Sequence, residues 1–436
     1  MNFPAPIEIA AAVLFAAAVL HTFSTRFFEH LAHVRPKHAG LWHLLGEVET
    51  VFGLWAAIAL VLIAAHVGAK DAIKYIESRD FTEPAFVFVA MVIAASRPVL
   101  RAAERALAAL ARLLPMPRRI ALFFVIMSVG PLFGSLITEP AAMTLTALIL
   151  RDHFLSRDLA PKAKYAIVGV LFVNVSIGGA LTPYAAPPIL MVAGTWGWDI
   201  GHVLSLFGIR AAAGVIINAA LLTWLLRKPL AAGTGQAAES AETPNSEEPI
   251  PFLVSAIHLL FLAGVVLLGH YPAAFLALFL FFLGFTEAYQ RYQNPLILRE
   301  ALLVGFFLAG LVTLGGLQRW WLQPVLQGLD GTVLFLGATA LTAITDNAAL
   351  TYLGSLVQGV SEEFKYALVA GAITGGGLTV IANAPNPAGY SILRGCFEDA
   401  TIGAGRLLVA ALPPTLVAVV LFWGDRFARL LLDRLA

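Results

Sequence analysis

From one end of the chain to the other, apolar runs of about twenty residues, roughly the length that crosses a bilayer's hydrocarbon core, alternate with short polar or charged segments. They fall at about 7–25, 44–66, 83–100, 119–150, 164–196 and 203–226, and again at 251–268, 271–288, 299–317, 331–358, 365–395 and 402–424. This pattern predicts an all-α polytopic membrane protein with six apolar regions on either side of a polar stretch, RKPLAAGTGQAAESAETPNSEEP at 227–249. That stretch, rich in Ala, Gly, Ser, Glu and Pro, offers too little apolar surface to fold and reads as a solvated linker. The division expected is 1–228, a linker at 229–250, and 251–436. The first run has no Lys or Arg ahead of it and reads as a retained helix rather than a cleaved leader.

The two halves match in sequence as well as in number of regions. ITEPAAMTL (137–145) lies over ITDNAALTY (344–352), KYAIV (164–168) over KYALV (365–369), and GGALTPYAAPP (178–188) over GGGLTVIANAPNP (375–387). Three matches in one order indicate an internal duplication. The fourth region of each half, 119–150 and 331–358, is too long for one helix and is broken at its centre, which predicts a re-entrant hairpin. The fifth, 164–196 and 365–395, is interrupted by Gly and Pro, which cannot continue a helix, and predicts a broken helix. If both hairpins enter and leave on one side and the N-terminus lies outside, nineteen of the 28 Lys and Arg fall in the cytoplasm with the linker, as the positive-inside rule requires. Arg426, Arg429 and Arg434 fit this scheme poorly. Five crossings plus a hairpin per half would insert the second half upside down, giving inverted repeats with broken helices at the midplane.

Charged residues make up 13% of the chain, about half of what a soluble protein carries, so a carboxylate inside an apolar run stands out. An ionised side chain at bilayer depth costs about 2.5–3.5 kcal/mol even on lenient scales. Two such carboxylates, Glu139 and Asp346, occupy the same point of the duplicated hairpins. Thr138-Glu139-Pro140 reads as the cap and first turn of an outgoing arm, and Asp346-Asn347 as the same in the second hairpin. Helix capping is the plain reading of both acids; their recurrence favours a pair of carboxylates, one per half, facing one cavity. A proton or a small hard cation such as Na+ would compete there, held at Glu139 and Asp346 with hydroxyl, amide and carbonyl oxygens completing the shell. Thr138, Thr345 and Asn347 are the candidates at the tips. Thr182 with Pro183 in the first break, Thr379, Asn383 and Asn386 in the second, and Asn174 on the helix before the first break are supporting candidates. The net charge of +1 argues against a nucleic-acid partner, the single cysteine excludes an internal disulfide, and no cofactor is called for.

The paired hairpins followed by paired Gly-Gly-x-Leu-Thr breaks resemble the ion-transporter superfamily, which includes sodium/proton antiporters, arsenite exporters and sodium–dicarboxylate symporters, and within it most closely the Na+/H+ antiporter group. The dicarboxylate members carry Ser-Asn-Thr at the hairpin tips; Glu139 and Asp346 stand there in this chain, which favours a cation over an anion. The resemblance implies secondary transport that exchanges Na+ or Li+ for H+ across a lipid bilayer, in a bacterial inner membrane, by a homodimer. No nucleotide-binding motif is present, so ion gradients would supply the energy. The alternative is an ion-coupled exporter or symporter of a small anion or oxyacid. An intramembrane protease is disfavoured because neither of its aspartate motifs occurs, and no enzyme activity is expected.

Three further features carry weaker expectations. Glu47 and Glu49 read as helix-start caps, with the lining of a cytoplasmic vestibule as the alternative. Arg210, inside the sixth run, would pair with a carboxylate or snorkel to the interface. RAAERALAALARLL (101–114) reads as an amphipathic surface helix leading to the first hairpin.

Overall fold

The computed structural model describes residues 5–22, 24–155, 159–232 and 249–435. Most of the expected linker at 229–250 lies outside the described residues. No strand occurs among those described. Helix α1 (Ala5–Thr22) reaches α4 (Val48–Val67) through the short α2 (Thr25–Val34) and α3 (Ala39–Gly46). The short α5 (Ala69–Glu77) then leads to α6 (Thr82–Ala94), which bends by 68° into α7 (Arg97–Arg112). Val99, Ala103, Leu107 and Ala111 form the buried stripe of α7. Their four-residue spacing is that of a surface helix with one apolar face, as the sequence implies for this segment.

Next come α8 (Arg118–Ile137), α9 (Glu139–His153), α10 (Pro161–Gly178), α11 (Pro187–Trp196) and α12 (Ile200–Val203), the last running through a π turn at Leu204–Gly208 into α13 (Ile209–Ala232). The second part comprises α14 (Phe252–Leu267), α15 (Pro272–Ala288), α16 (Leu298–Gly315), α17 (Arg319–Leu326), α18 (Gly331–Thr342), α19 (Asn347–Ser355), α20 (Glu362–Gly375), α21 (Asn386–Leu393) and α22 (Ala404–Leu435).

Among the described residues, six helices are long and apolar enough to cross a membrane: Ala5–Thr22, Thr50–Val67, Arg118–Ile137, Ile200–Ala231, Leu298–Gly315 and Ala404–Ala428. The outer faces are apolar as well, with Phe252, Leu267, Leu280, Phe281 and Val420 exposed. Water would oppose such a surface and hydrocarbon accepts it, so the chain is an integral membrane protein.

The run at 119–150 folds into two arms that return on each other. Arg119 at the start of α8 donates to the His153 carbonyl at the end of α9 (3.2 Å), and Phe123 meets Phe154 edge to face at 5.1 Å. The second such region is less regular: α18 has only twelve residues, whereas α8 has twenty. Each broken helix packs its second piece on the other part of the chain, α11 against α19 and α21 against α9.

Where α8, α10, α13 and α22 meet, two buried asparagines tie them together. Asn174 donates to the carbonyls of Met127 (2.9 Å) and Val215 (3.2 Å), and its Oδ1 accepts from Asn218 (3.0 Å), which also reaches the Pro414 carbonyl (3.3 Å). None of these partners belongs to a hairpin tip, so Asn174 acts here as a bolt between helices. Glu47 makes no cap bond at the start of α4. It pairs instead with Arg299, at the start of α16, which brings those two helix ends together. Arg210 finds no carboxylate among its described contacts: it donates to the Leu206 carbonyl (2.6 Å), one turn back, and lies over the Tyr366 ring.

Candidate ion-binding site

Between α8 and α9 the backbone passes through Thr138 at φ 73°, ψ 150°, a region populated essentially by glycine and strained for a β-branched residue. The turn lets α9 begin at once with Glu139, and Pro140 supplies the preset φ of a first helical turn. Thr138 occupies the cap position without a side-chain cap bond, and its Oγ1 has no hydrogen-bond partner. Glu139 is completely buried. Its Oε2 accepts a 2.7 Å hydrogen bond from Asn383 Nδ2, and its Oε1 accepts none. A Cβ on Gly179 would collide with that Oε1, so the carboxylate rests directly against backbone at the first helix break.

Hydroxyls hold the breaks in place. Ser135 donates to the Gly178 carbonyl (2.8 Å) and accepts from the Leu181 N–H (3.0 Å), while Thr182 donates to the Ser135 carbonyl (2.8 Å). Pro183 lies inside the same turn. In the second break, Thr379 makes the matching bond to the Ala343 carbonyl (2.8 Å). The Asn386 amide donates to the carbonyls of Gly376 and Thr379 (both 2.8 Å). Thr182 and Thr379 thus fix backbone to backbone, and Ser176 adds a tie between α10 and α20 through the Ile373 carbonyl (2.8 Å).

The second tip is built differently from the first. Asp346 caps α19, its Oδ1 accepting from the N–H groups of Ala348 (2.8 Å) and Ala349 (3.2 Å). Thr345 Oγ1 bonds only to the adjacent Asp346 carbonyl (3.2 Å). Asn347 is the first residue of α19 and is completely buried. Its N–H donates to the Ala382 carbonyl (3.1 Å), but neither its Oδ1 nor its Nδ2 has a partner. A Cβ on Gly376 would lie 2.8 Å from that Nδ2. Sequence overlay sets Glu139 on Asp346, yet by place in the fold the counterpart of Glu139 is Asn347. Each opens its outgoing arm, each is fully buried, and each faces a glycine just past a broken helix. The one-residue offset arises because Asp346 itself is the cap, whereas the chain at Thr138 turns without a side-chain cap. The Glu139 and Asp346 carboxylates remain within electrostatic reach of each other.

At the two tips and the second break, several buried oxygens have no hydrogen-bond partner: Glu139 Oε1, Asn383 Oδ1, Asn386 Oδ1, Asn347 Oδ1 and Thr138 Oγ1. Such groups carry a desolvation penalty that a ligand relieves. One carboxylate with amide and hydroxyl oxygens is a donor set suited to a hard cation, and its low charge suits a monovalent one. The sequence reading picks out all five of these residues and takes the two facing glycines as helix breaks, but passes over Ser135 and Ser176. Extending the ITEP/ITDN match two residues back would have set Ser135 against Thr342.

Residues 6–424 match the family described as "Putative Na+/H+ antiporter". The chain belongs to this family. It is therefore a member of a cation–proton antiporter family, a transporter family rather than an enzyme family, in agreement with the resemblance carried by the hairpin and break motifs. No match was found among curated proteins.

Proposed function

We propose that this antiporter exchanges Na+, or the smaller Li+, for H+ by competition at Glu139. The observation that carries the reading is the unpartnered Oε1 of a fully buried carboxylate, whose other oxygen is held by Asn383, itself left with an unpartnered amide oxygen. Asn383 holds Oε2 and so orients the group; Oε1 takes either the proton or the cation. A cation draws on Asn383 Oδ1 and Thr138 Oγ1 as further ligands, while Asp346 contributes a second negative charge within reach and keeps α19 capped. The same two charges repel an anionic substrate.

Inverted repeats supply the means of presenting this site to either side. The crossed packing of α11 on α19 and α21 on α9 supports the exchange of parts between halves that such a fold requires. The return of α9 to the start of α8 supports re-entry, and the Arg299–Glu47 pair joins two helix starts that positive-inside counting sets in the cytoplasm.

The test is cation-driven proton movement in everted membrane vesicles. If one proton competes for one site, the apparent KM for Na+ rises as pH falls, by about tenfold per unit once the free carboxyl is mostly protonated, while the maximal rate stays fixed, by mass action. Glu139→Gln abolishes the response. A Glu139→Gln variant that still moves protons on addition of Na+, or a KM that ignores pH, overturns the proposal.

A further inference from the structure

The duplicated Lys-Tyr-Ala of 164–166 and 365–367 takes no part in the site described above. Both lysines occupy the fourth position of the first piece of a broken helix, Lys164 in α10 and Lys365 in α20. A cation in the first turn opposes the helix dipole, so helix stability does not account for a lysine there twice.

Their contacts are reciprocal. Lys164 is 7% exposed and donates to the carbonyl of Cys396 (2.8 Å), in the 3-10 turn that follows α21. Lys365 bonds to Glu362 (2.5 Å) and lies over the ring of Trp196 at 5.8 Å, and Trp196 is the last residue of α11. Each lysine thus reaches the far end of the second piece of the other broken helix. Each also borders a large cavity: about 980 Å³ beside Lys164 and Cys396, and about 880 Å³ beside Lys365 and Trp196, with no lining residue in common. The opposite ends of α10 and α20 carry Gly179 and Gly376 at the ion site, and α21 starts three residues beyond Asn383, which holds Glu139.

We propose that Lys164 and Lys365 are paired clasps, each closing one mouth of the transporter by pinning the end of the opposite broken helix, and that release of one opens the ion site to that mouth. The two are unequal here. Lys164 makes a charge-assisted hydrogen bond to backbone, whereas Lys365 touches its partner helix only through a ring face, so this conformation is fastened at the Lys164 mouth. Both lysines are positioning residues that act on the site through α21 and α11. The proposal rests on the reading of the protein as an alternating exchanger, but its test does not depend on which ion is carried.

Cys396, the only cysteine in the chain, lies at the Lys164 mouth and serves as a reporter in the full-length protein reconstituted in liposomes. Lys164→Met is expected to raise the rate of alkylation by N-ethylmaleimide, expressed per thiolate, about tenfold, the worth of one hydrogen bond to a charged group, and Lys164→Arg to restore the wild-type rate. Lys365→Met, which loosens the other mouth, is expected to slow alkylation relative to wild type. Unchanged alkylation in Lys164→Met, or acceleration by both methionine variants, overturns the clasps, since general loosening or unfolding accelerates both. Opposite shifts together with a Glu139→Gln variant that still exchanges Na+ for H+ would leave the clasps standing and remove the ion assignment instead.

Discussion

Asn383 holds Glu139 by a 2.7 Å hydrogen bond between residues 244 positions apart. The bond joins the break between α20 and α21 to the first residue of α9, so the two parts of the chain meet at the carboxylate. Replacing Asn383 with Ala removes the amide that orients Oε2 and, with it, one buried oxygen that has no partner. A hydrogen bond to a charged group contributes about 1.5–3 kcal/mol, so we expect kcat/KM for Na+ to fall at least about tenfold, measured as sodium-driven proton movement in vesicles. Asn383→Gln, which keeps the amide on a longer arm, is expected to retain more activity than the alanine variant.

Gly179 offers a more local probe. An added methyl group would collide with the end of the Glu139 side chain, while the rest of the α10 break stays held by Ser135 and Thr182. Gly179→Ala is therefore expected to yield folded but inactive protein. Because the conflict lies between two identified groups, the shorter acid in a Gly179→Ala/Glu139→Asp double variant is expected to recover part of the activity. The single changes multiplied together would forecast less than the pair delivers, which is the mark of coupled sites.

The sequence displays some of this arrangement openly and conceals the rest for physical reasons. Glu139 is conspicuous because a charge inside an apolar run is costly, and the two-armed fold of 119–150 is legible from its length and its glycines and prolines. The contact between Asn383 and Glu139 is not legible, since it depends on α21 lying against α9. The place of Asp346 is hidden for a subtler reason. Side-chain pattern aligns it with Glu139, but the backbone conformation at Thr138 advances α9 by one residue, and no sequence pattern advertises a strained φ at threonine. Asn174 shows the opposite hazard. A lone amide in an apolar helix resembles a ligand, but this one bonds to Asn218 and to the carbonyls of Met127 and Val215, and so ties helices together.

Asp346 combines a cap with a charge, and two substitutions separate them. Asn caps a helix about as well as Asp, whereas Ala forfeits about 1 kcal/mol. Asp346→Asn is expected to keep the thermal stability of wild type while changing the apparent Na+ affinity, because the cap is kept and the charge is lost. Asp346→Ala is expected to lower both. Equal Na+ affinity in wild type and Asp346→Asn would confine this residue to capping, and would leave Glu139 as the one acid that the exchange uses.

The two asparagines at the helix crossing give a control with the opposite signature. Asn218→Ala leaves the Asn174 Oδ1 unpartnered in a buried position, a loss of about 1–3 kcal/mol, and is expected to lower the midpoint of thermal unfolding in detergent. Sodium dependence and its variation with pH are expected to remain those of wild type in the folded fraction, because neither side chain contacts the hairpin tips.

Thr138 joins backbone strain to a hydroxyl with no partner, and the two properties come apart on substitution. A residue held in this region costs of order 1–3 kcal/mol, which glycine escapes. Thr138→Gly is therefore expected to raise the unfolding midpoint, despite the greater freedom of its unfolded chain, while losing the oxygen next to Glu139. Thr138→Val keeps the β-branched strain and removes only the oxygen, so its stability is expected to stay near wild type or rise slightly as an unsatisfied polar group disappears. If the hydroxyl ligates the cation, both variants show a raised KM for Na+ of similar size although their stabilities differ. If strain at the tip instead sets the rate of exchange, the glycine variant alone turns over more slowly, at an unchanged KM.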